Sequence, residues 1–279
     1  MNQSDDHKSI PMTSVDSGKL REIKSDVAYY TNQIVNLTMI GKPGQPWVLV
    51  DAGMPNSAEE IIEVAEKRYG ENNAPEAIVL THGHFDHVGS IVGLLTKWEV
   101  PVYAHSLEFP FLNGSQAYPE PDTSVEGGIL AKISSVCPHD AIDITQTLRV
   151  LPADGTIPVL PGWRWIHVPG HSPGQIALFR ESDRLLISAD AFITVKQDSL
   201  YKVLLQKEEI CGPPVYLTTD WPAAYESVKA LAALDPEIVI PGHGTAMEGS
   251  KLHKGLTKLV ADWDEEAVPD YGKWVYDNK

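Results

Sequence analysis

The chain has 279 residues, with 22 Lys and Arg against 38 Asp and Glu, a formal net charge of −16 and 43% hydrophobic residues. That is the composition of a globular protein with ample material for a sizeable core. The excess of acid argues against a nucleic-acid backbone or an anionic membrane as partner, because both require clustered basic side chains.

Residues 1–25 are polar, carry acid early and lack an apolar stretch, so a flexible N-terminal arm is expected there rather than a secretory leader. No apolar run approaches the roughly 18 residues of a membrane span. Cys137 and Cys211 are far apart and form no CxxC pair, which makes a reducing cytoplasm the expected location. From Val27 onward, residues 27–30, 34–39 and 47–50 are β-rich and apolar, with a Gly- and Pro-rich turn before the last. Ser57 with Glu60 three residues on has the form of a capping box. Ile61, Ala65 and Tyr69 follow at helical spacing, and Gly70 ends a helix over 57–69.

Residues 77–80 read as a short buried strand that runs into THGHFDH. Val88, Ile91, Val92 and Leu95 then mark one face of a helix. A strand at 100–104 precedes a Pro- and Gly-rich stretch over 106–146, read as a lid or insertion. Its Phe109, Phe111, Leu112 and Tyr118 could wall a site or pack only on themselves. Strands resume at 148–151, 163–167, 176–179 and 185–188. Residues 220–234 form a helix with Pro222 in its first turn, 237–240 a strand ending in PGHG, and 250–263 a last amphipathic helix. Two runs of strands, each decorated with helices, give a layered α/β domain over residues 26–279.

Ten His are present, nearly half the number of Lys and Arg together, and they are gathered. His82, His84, Asp86 and His87 lie within HGHFDH. Imidazole and carboxylate are ligands that Zn²⁺ accepts. His82 and His84 share a side if the strand continues, with Gly83 leaving room between them. Asp86 and His87 are adjacent and expected to point apart, which suits two metals better than one. Taken singly, Asp86 reads as a helix cap and His82 as a core histidine; the set reads as a metal site. His171 in PGHSPGQ, Asp190 in ISADAF and His243 in IPGHGT each follow an apolar strand. Alone they are turn or strand-end residues, but their shared placement favours convergence on one rim.

In this order, HGHFDH, PGHSPGQ, SAD and PGHG resemble the metallo-β-lactamase superfamily, over roughly residues 27–244, and VDAGM at 50–54 resembles its strand-end Asp-Gly segment. The resemblance implies a four-layer αββα sandwich of two mixed β-sheets with helices on the outer faces. It implies that His82, His84 and His171 bind one metal, Asp86, His87 and His243 a second, and that Asp190 bridges both. It further implies two Zn²⁺, with Fe or Mn as alternatives, and a metal-bridging hydroxide as nucleophile. The expected substrate is a small acyl compound, a lactone or ester first, with a thioester or β-lactam also suited. Asp86 could also shuttle the proton. Asp51 either supports a ligand His or only shapes the turn before Gly53. Tyr201 and Tyr216 either hold a substrate carbonyl, as a Tyr does in lactonase-like members, or only pack. A mononuclear iron enzyme of the persulfide-dioxygenase type, and a non-catalytic metal-binding module, are the competing readings.

Overall fold

The structure, a computed structural model, describes residues 14–125, 142–195 and 208–276. Its first sheet runs in chain order through β1 (Lys19–Lys24), β2 (Val27–Asn32), β3 (Val35–Ile40), β4 (Val48–Val50), β5 (Ala77–Val79), β6 (Val102–Ala104) and β7 (Leu148–Val150). Pairing is antiparallel from β1 to β4 and parallel from β4 to β7. Helices α1 (Ala58–Tyr69), α2 (Phe85–Val88), α3 (Ile91–Lys97) and α4 (Phe109–Leu112) fall within this half. The second half holds β8 (Trp163–His167), β9 (Ile176–Arg180), β10 (Leu185–Ala189), β11 (Ile193–Val195), β12 (Glu208–Cys211), α5 (Trp221–Ala233), β13 (Ile238–Pro241), β14 (Met247–Glu248) and α6 (Gly249–Ala261). Its sheet has the order β14-β13-β10-β9-β8 and is parallel only between β10 and β13, while β11 and β12 form a small separate pair.

The strands alternate between two apolar neighbourhoods, because successive side chains leave opposite faces of a sheet. In β4, Leu49 joins a cluster with Leu37, Met39, Ile61, Ile78 and Leu94 under α1 and α3. Its neighbours Val48 and Val50 pack instead with residues of the other sheet, among them Leu178, Ile187 and Ile240. In β10, Leu186 packs with Val228, Leu231, Leu252 and Leu256 of α5 and α6, whereas Leu185 and Ile187 return to the inter-sheet core. Helix, sheet, sheet, helix is therefore the observed layering, and both sheets are apolar on both faces.

Three local expectations change. Residues 19–24 are not a loose arm: they pair with β2 as an edge strand, and Ser14 N–H already bonds the Gln33 carbonyl at 3.1 Å. The strand sequence KLREIK is exposed or half-buried throughout, and Leu20 and Ile23 alone gave little apolar signal for it. The capping box does not form, since Ser57 makes no side-chain cap. Glu60 is drawn instead to the Tyr30 hydroxyl and to Asn32 Nδ2 at 3.1 Å, so a tertiary contact replaces the local one. The β11–β12 pair adds strands that periodicity did not mark. Cys137 and Tyr201 lie outside the described residues, as do 126–141 of the expected lid. Among the described residues, no helix is long and apolar enough to cross a membrane.

Leu49 is fully buried at the centre of the first sheet. Leu49→Ala is expected to lower stability by roughly 2–5 kcal/mol in chemical denaturation, without changing metal content.

Candidate metal centre

Every predicted ligand sits just past the end of a strand or at the start of a short helix, on one rim of the sandwich. The chain leaves β5 at Val79, and His82 and His84 follow in the connection to α2. His171 lies in the loop between β8 and β9, Asp190 follows β10, and His243 follows β13. Because β10 and β13 are parallel, their C-terminal ends emerge side by side. The two sheets are tied at this rim by Ile176 N–H to the Thr81 carbonyl (3.0 Å) and Asn36 N–H to the Gly242 carbonyl (2.8 Å).

The structure brings all seven residues together, each buried. Three groups have ligand atoms within 4.8 Å of one another: His82, His84 and His171; His82, His87 and Asp190; and Asp86, His87 and His243. Asp190 Oδ2 lies between them, 3.4 Å from His171 Nε2, 3.2 Å from His243 Nε2 and 3.6 Å from His87 Nε2. Asp86 Oδ2 is 3.2 Å from His243 Nε2. Asp86 and His87 do not point apart as expected. They occupy successive positions of α2, about 100° apart rather than the 180° of a strand, so both reach one group. Gly242 is required by the same crowding, because a Cβ there would collide with Asp190 Oδ1.

Most of the imidazoles are fixed by their outward nitrogens. His87 Nδ1 meets Asp51 Oδ2 at 2.8 Å, and His243 Nδ1 meets the Ile34 carbonyl at 3.0 Å. His82 Nδ1 meets Thr81 Oγ1 at 3.1 Å, whose own proton goes to Asp51. His171 Nδ1 meets Thr218 Oγ1 at 3.1 Å, whose proton goes to the Pro214 carbonyl. Each of these rings turns Nε2 inward, and His84 instead turns Nδ1 toward His171 Nε2 at 2.9 Å. Two nitrogens at that separation need a proton or a cation between or beside them. His82 Nε2, His87 Nε2, Asp86 Oδ1 and Asp190 Oδ1 are buried with no hydrogen-bond partner among the described residues. Orphaned polar atoms of this kind, converging in a His/Asp set, fit divalent metal ions.

Electrostatics divides the cluster. Burial, together with the neighbouring imidazoles, pushes His82 and His84 well below the ordinary range, and burial takes His171 down to about 4. Burial opposes charge on His87 and His243 too, but Asp190 leads a set of carboxylates that overrides it. His87 is held well above its usual value and His243 at about 10. Asp190 lies well below the usual carboxylate range, its burial outweighed by His243 and His87.

Two adjoining cavities open beside His84, with volumes of about 210 and 130 Å³. Phe111, Tyr118 and Leu217 line both, and among the described residues no Lys or Arg lines either. Tyr216 lines the smaller one and packs against Val125 and Leu217. Sequence reading missed Thr81, Thr218 and the Ile34 carbonyl as anchors of the ligand rings. It also missed Glu108, fully buried behind the His82–His84 loop. Burial pushes the Glu108 carboxyl up to about 7, against hydrogen bonds from Gly174, Ser172 and Gly83. THGHFDH displays Thr81 beside its neighbour; the others have no local signature.

Residues 30–243 match the metallo-β-lactamase superfamily. A probable metallo-hydrolase of Bacillus subtilis (strain 168), YflN, is 46% identical over 253 residues, covering 90% of this chain and 96% of its own. A protein whose crystal structure was solved in a di-iron-bound form is 27% identical, with TM-score 0.53, covering 77% of this chain and 89% of that one. A β-lactamase domain protein from Burkholderia ambifaria shares the fold at TM-score 0.62 and 20% identity, covering 89% of this chain and 77% of that one. The chain belongs to the metallo-β-lactamase superfamily, and is a metal-dependent hydrolase of it.

A cation entering beside His243 must displace a proton, whereas His82, His84 and His171 are already neutral near pH 7. Loading of the Asp86, His87 and His243 group is therefore expected to strengthen as pH rises from about 6 to 9, with little change for the other group. Titration calorimetry in buffers of different ionisation heat should show proton release with one metal equivalent and much less with the other. Equal release from both would refute this.

Proposed function

We propose that this member of the metallo-β-lactamase superfamily is a dinuclear hydrolase, with zinc as the first assignment, that cleaves a small acyl substrate of apolar character. A lactone or ester is the leading candidate, ahead of a thioester or β-lactam. The observation that carries this reading is the pair of ligand groups meeting at Asp190, beside cavities with apolar walls and no basic side chain among the described residues. His82, His84 and His171 would hold one ion, Asp86, His87 and His243 the other, with Asp190 serving both. Two divalent ions there would polarise a scissile carbonyl and lower the pKa of a water at neutral pH.

The chain's own groups supply the rest. Asp86 Oδ1 is buried and unpartnered, so it can take the proton of the attacking water and return it to the leaving oxygen. Phe111, Tyr118 and Leu217 exclude bulk water and receive the apolar part of the substrate. Among the described residues, a cavity lining without Lys or Arg disfavours a substrate held by a carboxylate or phosphate. The similarity to a protein solved in a di-iron-bound form makes iron the second candidate metal. The acidic composition is consistent with a small molecule rather than a polyanion as the partner, and the cytoplasm is the proposed setting.

Purified protein should carry two metal equivalents and turn over at least one member of a panel of lactones, esters, thioesters and β-lactams. His82→Ala should lower kcat/KM at least about 100-fold. Less than one metal per chain, or full activity in His82→Ala, would sink the reading; iron with oxygen consumption would replace hydrolysis by an oxygenase.

A further inference from the structure

Glu108 is a fully buried carboxylate outside the ligand set, and no charged partner among the described residues stabilises it. Burying an uncompensated carboxylate is costly, and a leucine would fill the space more cheaply. Its four donors come from three separate places. Oε2 accepts from Gly83 N–H at 2.9 Å and from the Tyr118 hydroxyl. Oε1 accepts from Ser172 Oγ at 2.9 Å and Gly174 N–H at 2.7 Å. Gly83 lies between His82 and His84, and Ser172 and Gly174 closely follow His171. One side chain thus holds both loops that carry the His82, His84 and His171 group.

The glycines record the same contact. A Cβ on Gly174 would come within 2.8 Å of Glu108 Cγ, and one on Gly83 within 3.0 Å of the Tyr118 hydroxyl. Tyr118 completes the arrangement. Its ring lies 4.3 Å from the His84 ring, centroid to centroid, and stacks on Phe111 at 3.8 Å. Its hydroxyl receives Gly83 N–H at 3.0 Å and donates its one proton to Glu108, so no donor is left for a substrate carbonyl.

We propose that Glu108 and Tyr118 form a clamp that positions His82, His84 and His171 for one metal ion, with Tyr118 presenting an apolar face rather than a hydrogen bond to substrate. The clamp rests on the reading of those three histidines as metal ligands. In this role both are positioning residues: Glu108 acts through the loops, and Tyr118 acts through His84 and the cavity wall.

The test is competition of chelator-stripped protein with a chromophoric chelator for Zn²⁺, alongside the visible spectrum of the Co²⁺-loaded protein. Glu108→Gln should weaken one of two equivalents by about 10–100-fold and alter its Co²⁺ bands, leaving the other equivalent within about threefold. Gly174→Ala, which presses on the clamp from its far side, should weaken the same equivalent. Tyr118→Phe, which removes one of the two donors to Glu108 Oε2, should weaken the same equivalent, by less than Glu108→Gln does. Unchanged metal binding in both Glu108→Gln and Gly174→Ala would overturn the proposal, as would equal weakening of both equivalents. A hundredfold fall in kcat for Tyr118→Phe with metal binding intact would also overturn it, by making that hydroxyl catalytic. A wild type that binds one equivalent, weakened by Glu108→Gln, would support the clamp and overturn the dinuclear reading instead.

Discussion

The constraint on which the structure turns is the burial of seven candidate ligand side chains, several of whose inward atoms have no hydrogen-bond partner among the described residues. Polar groups taken from water without a replacement bond are costly, and carboxylates more so. Here His82 Nε2, His87 Nε2, Asp86 Oδ1 and Asp190 Oδ1 are all in that condition. The fold can hold them only because the outward atoms of the rings are well bonded, to Asp51, Thr81, Thr218 and the Ile34 carbonyl. The rings are therefore oriented in advance, and the unsatisfied atoms face one another rather than scattering to solve their problem separately.

Orientation in turn requires a stiff rim. Two sheets, each apolar on both faces, lock their strand ends together through Thr81, Asn36 and a bridge between Val35 and His243. Asn36 also holds the last ligand loop, through Nδ2 to the carbonyls of Pro241 and Gly244. Two of the seven non-glycine residues with positive φ among the described residues lie there as well. Asp51 has φ 65° and Ala189, immediately before Asp190, has φ 49°. Left-handed backbone at non-glycine residues persists where surrounding contacts impose it, and here it turns Asp51 under His87 and Asp190 into the cluster.

The contiguous part of this site was more legible than the dispersed part. HGHFDH announced a metal site because four ligand side chains stand within six residues. His171, Asp190 and His243 are ordinary turn or strand-end residues when read singly; their shared place after apolar strands favoured one rim, and the resemblance to a family assigned their roles. The strand runs likewise pointed to the α/β class, while the stacking of two sheets came from that resemblance. What stayed hidden was tertiary. Glu60 satisfies the pattern of a capping box but is claimed by Tyr30 and Asn32 across the first sheet and helix. Thr218 and Glu108 serve loops 47 and 25 or more residues away, with no spacing to betray them. Asp86 and His87 diverge only if the strand period is carried past its end, into what is helix.

The electrostatic division of the cluster gives its two halves different relations to a metal ion. Asp86, Asp190 and Asp51 bring three carboxylates to the side of His87 and His243, and those two imidazoles answer by holding protons. The protons supply, in charge and roughly in place, what one divalent ion would supply. On the other side His82, His84 and His171 are neutral and need no counter-charge. Metal uptake on the acidic side is then an exchange of protons for an ion within a framework already in position, whereas on the His-only side it is simple addition. The two halves of one buried cluster consequently obey different chemistry, although the same rim of the same sandwich holds them both.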